Sequence, residues 1–205
     1  MGNNMMAYCL NNPANFFDNR GTDAIWIQEK ERGGGYGHSG LLVDDGEGNW
    51  YFLYWGSAGT STDLEKTFGT PYEFVFVKID VSEYDLYSID GVIDALANSG
   101  NGTAQIRSQY VTGTYYFEGD YSATYDYLSK MAEREEKKSG SLGKYYLLTK
   151  NCAQVTWEAL AQSNVRLQEN SCPFIPNIAF GRAQYLDGMS NLHYGIFRST
   201  MVAIN

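Results

Sequence analysis

The run Tyr145-Tyr-Leu-Leu-Thr-Lys-Asn-Cys-Ala-Gln-Val-Thr-Trp-Glu-Ala-Leu-Ala-Gln-Ser163 changes character at its middle. Tyr145 to Leu148 is a short apolar run suited to a buried strand or an extended arm. From Ala153 the apolar residues Val155, Trp157, Ala159, Leu160 and Ala161 follow a helical stripe. Asn151 stands at the junction, where a helix favours Asn as its N-cap, and this puts Cys152 at the first helical position. First-turn N–H groups and the partial positive charge of a helix start both favour thiolate, so the thiol is expected below its usual pKa of about 8.5. A cysteine so placed is a nucleophile candidate; the same position also suits a small hydrophobe that plugs a helix start.

A nucleophile needs a base, and the chain has 2 histidines. His38 lies in Tyr36-Gly-His-Ser-Gly-Leu-Leu-Val43, where a glycine-rich approach leads into an apolar run. It falls at the mouth of an expected strand, where a side chain points out of a sheet edge into a groove. His193 lies in Asn191-Leu-His-Tyr-Gly-Ile-Phe197, inside an expected late strand, and reads as a surface or packed strand residue. His38 is therefore the candidate base, with a thiol-to-imidazole hydrogen bond expected between it and Cys152.

With Gly37-His-Ser-Gly-Leu-Leu-Val43 first and Asn151-Cys152 at a later helix start, the chain resembles the circularly permuted NlpC-type papain-like cysteine hydrolases. Lecithin:retinol acyltransferase-like proteins share that layout. In the permuted branch the histidine strand precedes the cysteine helix, as here, and the resemblance covers roughly Gly35 to Ser163. It implies an α+β, papain-like fold with an antiparallel sheet packed against the cysteine-bearing helix. It also implies amide, isopeptide or ester substrates: peptidoglycan stem peptides first, then host protein side chains or lipids. The family places a polar third residue on the strand after the histidine. Tyr54 is the nearest polar candidate here, with Ser57 and Asn49 behind it, and an aromatic on a sheet face is an equal reading of Tyr54. A tyrosine hydroxyl can accept an imidazole N–H but has no charge to stabilise an imidazolium.

The chemistry expected is attack of the Cys152 thiolate on a carbonyl carbon, a thioester, and its hydrolysis by water activated by His38. The Cys152 backbone N–H is the expected oxyanion donor, with Asn151 and Gln154 as further oxyanion or substrate contacts; Gln154 also suits an ordinary first-turn solvent position. Two rival classes stay open: an acyltransferase of the lecithin:retinol type, and a non-catalytic binding module of papain-like shape.

At 205 residues the chain suits one domain, and a hydrophobic share of 43% allows a sizeable core. Aromatics at 15%, with 17 Tyr, favour a β-rich fold. A net charge of −9 with no basic stripe argues against nucleic acid and against anionic membrane surfaces. No apolar run reaches the roughly 20 residues of a membrane span, and the start lacks the pattern of an ordinary signal peptide. There are 3 cysteines, so Cys9 and Cys172 could pair and leave Cys152 free, or all three stay reduced. No ligand spacing for a metal appears, and no cofactor is expected.

Residues 1–22 read as a turn-rich leader, and 23–205 as a single domain. Ala7-Tyr-Cys-Leu-Asn-Asn-Pro-Ala-Asn-Phe-Phe-Asp-Asn-Arg-Gly21 resembles the closing motif of an Rhs/YD-repeat core. That motif ends a large secreted shell and precedes a variable domain, often a toxin. The resemblance implies a secreted or delivered effector with a cognate immunity protein; without it, the expectation is cytoplasmic. Asp23–Glu31 suits a short strand or helix, and Gly33-Gly-Gly-Tyr-Gly37 a flexible lead-in rather than a phosphate loop. Leu41–Val43 and Trp50–Trp55 flank Asp44-Asp-Gly-Glu-Gly-Asn49 and predict a hairpin turning about Gly46 and Glu47. Gly56–Pro71 reads as loop, Tyr72–Val81 as a central two-sided strand, Ile89–Ala97 as a helix, and Ile106–Phe117 as a strand or broken pair. A helix is expected from Asp120 to roughly Lys137, a hinge at Ser139–Gly143, a loop over Asn164–Pro176, a short helix over Ile178–Tyr185, and a final strand over His193–Ile204.

Overall fold

The structure, a computed structural model, describes residues 22–201 other than 33, 60–62 and 82, with the backbone alone for 63–64 and 189–201. Two runs of uninterrupted burial form its centre: β1 (Ala24–Glu29) and β2 (His38–Asp44) are buried at every position. Strands buried on both faces carry apolar residues in both phases of the pleat, as Ile25-Trp-Ile27 and Leu41-Leu-Val43 do. β3 (Trp50–Ser57), β4 (Tyr72–Ile79) and β5 (Gly113–Phe117) complete an antiparallel sheet of order β4-β3-β2-β1-β5.

The predicted hairpin is β2–β3, with Gly40 opposite Tyr54 and Asp44 opposite Trp50. Its turn is held by Asp44 Oδ1, which accepts from Gly46 N (2.6 Å), and by Asp45 Oδ1, which accepts from Glu47 N (2.8 Å) and Asn49 N (3.1 Å). Gly46 at φ +82° supplies the left-handed residue that such a turn requires. The pairing ends at Gly40–Tyr54, although β2 begins at His38 and β3 runs on to Ser57. The open end of this pair is where the site lies.

Helices cover both faces. On one side α2 (Ile89–Asn98) and α3 (Gly102–Ser108) pack Val92, Ala95, Leu96 and Ala104 against Ile25, Ile27, Leu42, Phe52 and Ile79. On the other, α4 (Ser122–Lys137), α5 (Cys152–Leu160) and α7 (Pro176–Met201) cover Ala24, Trp26, Leu41, Val43, Leu53, Trp55 and Phe117 with Leu128, Val155, Leu160 and Phe180. With α1 (Asp63–Phe68) and α6 (Val165–Gln168) this makes seven helices among the described residues. The class is α+β, and the antiparallel sheet packs against the cysteine-bearing helix.

Several expectations change. Tyr72–Val81 is two-sided but not central: β4 lies at the sheet edge, its apolar residues in both phases meeting the helical layers on the two faces. The first part of Ile106–Phe117 is the end of α3, nucleated by Asn101, whose side chain accepts from Thr103 N and Ala104 N; only Gly113–Phe117 is strand. The expected short helix and final strand are one helix, α7, started by Pro176 at its first position, so His193 is on a helix. Residues 202–204 lie outside the described residues. The loop after Ala161 contains α6, capped by Asn164, and the loop before Pro71 contains α1. Tyr145–Leu148 is an arm: Tyr145 bridges to Thr70 and Tyr146 to Lys150. The leader lies outside the described residues except Thr22, whose carbonyl accepts from Tyr121 N.

Candidate functional site

Asn151 is the N-cap of α5. Its Oδ1 accepts from Ala153 N (2.9 Å) and Gln154 N (3.2 Å), and Gln154 Oε1 accepts in return from Asn151 N (3.2 Å), a closed capping box. Asn151 Nδ2 donates to Leu147 O and Phe174 O, both at 2.6 Å. The two ends of the Asn151 amide are therefore engaged within the protein, and the residue fixes Cys152 in place rather than presenting a donor to a ligand. Gln154 is buried and also held by the cap, not a solvent residue.

Cys152 occupies the first position of α5 and is 1% exposed. Its sulfur accepts N–H bonds from Ser39, Ala153 and Cys152 itself. The Ser39 donor comes from the stretch of β2 beyond its last pair with β3, so the thiol sits at the opened end of the hairpin. Ser39 Oγ donates to Gln28 Oε1 (3.1 Å), and Gln28 Nε2 donates to Asn177 Oδ1 (2.7 Å) at the start of α7. Gly37, at φ +90°, passes so close to this pair that a Cβ there would lie 2.3 Å from Asn177 Oδ1. The glycine-rich lead-in thus allows a close approach at Gly37.

The expected lowering of the Cys152 pKa does not occur. Burial pushes the thiol up to about 12 from an ordinary 9, overriding the three N–H donors. His38 is 9% exposed, and burial lowers its imidazole to about 3, with the Arg32 charge adding to the effect. His38 Nε2 is buried and has no hydrogen-bond partner among the described residues, so no imidazole–thiol bond is made through it. Both groups are neutral in this closed arrangement.

Tyr54 lies against His38, ring centroids 4.9 Å apart, on the same face of the sheet. Its hydroxyl accepts from Arg107 Nη2 (2.5 Å), and burial holds its pKa above the ordinary value. Gly56 is obligatory beside it, because a Cβ there would fall 2.2 Å from the Tyr54 hydroxyl. Ser57 Oγ is bonded to Thr70 Oγ1 (2.9 Å), and Asn49 lies at the far turn, bonded to Asp45 and Lys78.

A cleft of about 160 Å³ opens here, lined by Arg32, His38, Tyr54, Lys66, Tyr145 and Asn151 among others. The structure brings His38, Tyr54 and Asn151 to this cleft, with Cys152 immediately behind Asn151. Gln154 instead lines a separate depression with Cys172. Cys172 is a free thiol, and no disulfide occurs among the described residues; Cys9 lies outside them.

Sequence reasoning missed a buried charged cluster beside His38. Glu29 is the direct cross-strand partner of His38 and is 3% exposed. Its Oε2 accepts from Arg32 Nη1 (3.1 Å), and Arg107 Nη1 stands 3.7 Å away. Burial lifts its carboxyl to about 7, against the pull of Arg32. The Glu29–Arg32 spacing was legible, but Arg107 was not, since its segment read as strand. Among the described residues no helix is long and apolar enough to cross a membrane, and no group of three His, Cys, Asp or Glu residues is arranged to hold a metal ion. Comparison with family models, with curated proteins and with solved structures finds no match to this chain.

Proposed function

We propose that the chain is a cysteine hydrolase, a peptidase or amidase of permuted papain-like fold, with Cys152 as nucleophile and His38 as base. The observation that carries this reading is the placement of the Cys152 sulfur. It lies at a helix start, accepts an N–H from Ser39, the residue after His38, and belongs to the residue after Asn151, which lines the cleft onto which His38 opens. A buried imidazole nitrogen without a partner, at a cleft, is the kind of orphan that a catalytic role explains. In the reaction the Sγ proton passes to the imidazole and sulfur attacks the carbonyl carbon. The Cys152 N–H, first in its helix, faces the developing oxyanion. The imidazolium protonates the leaving amine, and water then cleaves the thioester, giving a carboxylate and the free thiol.

Burial dominates both pKa shifts, so the closed arrangement is a resting state; entry of substrate and water hydrates the pair and removes that opposition. The substrate is a peptide, a peptidoglycan stem peptide or a protein side-chain amide. The Rhs-like leader supports delivery as an effector, with an immunity protein as partner. Expression inside a bacterium should then be toxic, and the adjacent reading frame should relieve it.

The second reading, a papain-like binding module without catalysis, is favoured by the same neutral, buried thiol and imidazole. A thiol-directed probe at neutral pH separates the two. Labelling selective for Cys152 over Cys172, and lost in His38→Ala, supports the hydrolase. Equal or slower labelling of Cys152, unaffected by His38→Ala, supports the module. An acyltransferase would release an ester or amide of a second substrate rather than a free acid, which product analysis distinguishes.

A further inference from the structure

The hydrolase reading leaves His38 without a third residue, and β3 does not provide one. The Tyr54 hydroxyl accepts from Arg107, Ser57 is bonded to Thr70, and Asn49 is at the other end of the strand. On the opposite neighbour, β1, the register sets Glu29 directly across from His38. Directly paired residues of antiparallel strands point to the same face, with Cβ atoms about 4.5–5.5 Å apart. Glu29 is therefore on the side of β2 that His38 and Tyr54 share, away from the face covered by α5.

The surroundings of Glu29 are built to hold a carboxylate in place. Arg32, from the turn after β1, donates to it, and Arg107 reaches it from α3 while its guanidinium carbon lies 4.0 Å from the Tyr54 ring centroid. Arg107 is 91% buried by side chain, being 9% exposed, and its Nε and Nη1 have no hydrogen-bond partner among the described residues. Three buried nitrogens, one on His38 and two on Arg107, thus make no hydrogen bond among the described residues around Tyr54 and Glu29. A buried polar cluster left incomplete in a resting state is one whose bonding changes when the state changes.

We propose that Glu29 is the positioning residue of His38, its carboxylate supplied by the strand before the histidine rather than by the one after it. The inference rests on the hydrolase reading. When the thiol proton moves to the imidazole, the imidazolium forms across the strand pair from the Glu29 carboxylate. The carboxylate fixes the ring and opposes the positive charge without itself taking the proton. Arg32 and Arg107 hold Glu29, and Tyr54 packs on the His38 ring from β3. Glu29 touches neither substrate nor sulfur.

The test is the pH profile of Cys152 alkylation by iodoacetamide, followed by mass spectrometry on the full chain over roughly pH 5–10. His38→Ala should abolish the neutral-pH limb of reactivity. Glu29→Gln should lower the neutral-pH rate about tenfold and move that limb up by about one pH unit. Glu29→Asp, which keeps the charge, should recover part of the loss, whereas a merely structural carboxylate would change thermal stability and leave the profile alone. A Glu29→Gln profile equal to the parent's, or faster, with His38→Ala still impaired, overturns the proposal and spares the hydrolase. An unchanged His38→Ala profile defeats the hydrolase reading itself. Should Glu29→Gln fail to fold, the parent chain still decides: the His38 ring nitrogen shifts must show an inflection at the pH where the Glu29 carboxyl carbon signal titrates, and a curve flat there overturns the proposal.

Discussion

The two faces of β2 are alike at mid-strand and opposite at its open end. Leu41 and Val43 on one face and Leu42 on the other are all buried in apolar layers. At the end, Ser39 faces Gln28 and the α5 start, where every partner is neutral, while His38 faces Glu29, Arg107 and Tyr54, where charge is concentrated. Sulfur and imidazole therefore lie toward different sides of one strand. The pairing of β2 with β3 stops at Gly40 and Tyr54, short of both Ser39 and His38. The lesson is that a period-two strand can give two adjacent residues, Ser39 bonded to the thiol and His38 at the cleft, wholly different surroundings.

The largest expected effect lies on the neutral side. Cys152→Ser keeps an acceptor for the Ser39 N–H in a nearly isosteric side chain, so melting should change little. On the hydrolase reading, turnover should fall by roughly three orders of magnitude or more, since an unactivated hydroxyl replaces the thiol. Activity assay beside thermal unfolding checks it, and full turnover in that variant would end the assignment of the nucleophile.

Next come the two apolar layers. Leu160 and Leu96 are each fully buried, one under α5 and one under α2. Truncation of either to Ala should cost about 2–5 kcal/mol in denaturant unfolding. The comparison sharpens with a second readout: Leu160→Ala loosens the helix that holds the thiol and should speed Cys152 alkylation, whereas Leu96→Ala should not. Equal acceleration by both would mean that the faces are not independent.

How much of this was legible in the sequence follows from the range of the signals. The N-cap at Asn151, the hairpin about Gly46 and the strand mouth at His38 are local, set by a few neighbouring residues, and each could be read directly. The edge position of β4 was not, because burial by two helical layers puts apolar residues in both phases of an edge strand as well as a central one. α3 was missed because the Tyr-, Val- and Thr-rich run Ile106–Phe117 reads as strand from within the helix onward. α7 was not legible as one element, since the sequence reads as a short helix and a final strand, yet the helix runs on through Gly181 and Gly188. Depth was the least legible. A helix start lowers a thiol pKa by local dipoles, but whether burial overrides this depends on what packs over it, which residues distant in sequence decide. Glu29 opposite His38 likewise follows from a register that only the folded sheet fixes.

Asn151→Ala probes the cap of α5. It removes an acceptor for two α5 N–H groups and leaves the Leu147 and Phe174 carbonyls without their donor. A loss of about 2 kcal/mol is expected, more than for an exposed cap. Cys152 alkylation should lose selectivity as the first turn frays; a stability change under about half a kcal/mol would show that the box is redundant.

The smallest expected effect, the pH dependence of stability, sets the two neighbours of that strand pair against each other. His38 is held neutral to about 3 from an ordinary 6.5, so its contribution is present above 6.5 and lost as pH falls toward 3. Glu29 is raised to about 7 from 4.5, so its contribution is present below 4.5 and lost as pH rises through 7. Between roughly 4.5 and 6.5 the unfolded chain releases a proton from Glu29 while gaining one on His38 relative to the folded state, and the two slopes oppose. Parent stability should be nearly flat across that window. Glu29→Gln should leave the histidine slope alone, with stability rising with pH by about 1–2 kcal/mol; His38→Asn should leave the carboxyl slope, with stability falling by a similar amount. Urea unfolding at several pH values reads both. A parent curve as steep as either variant would mean that only one of the two groups keeps a shifted pKa in the fold, and the charged side of β2 would then have to be redrawn around that one.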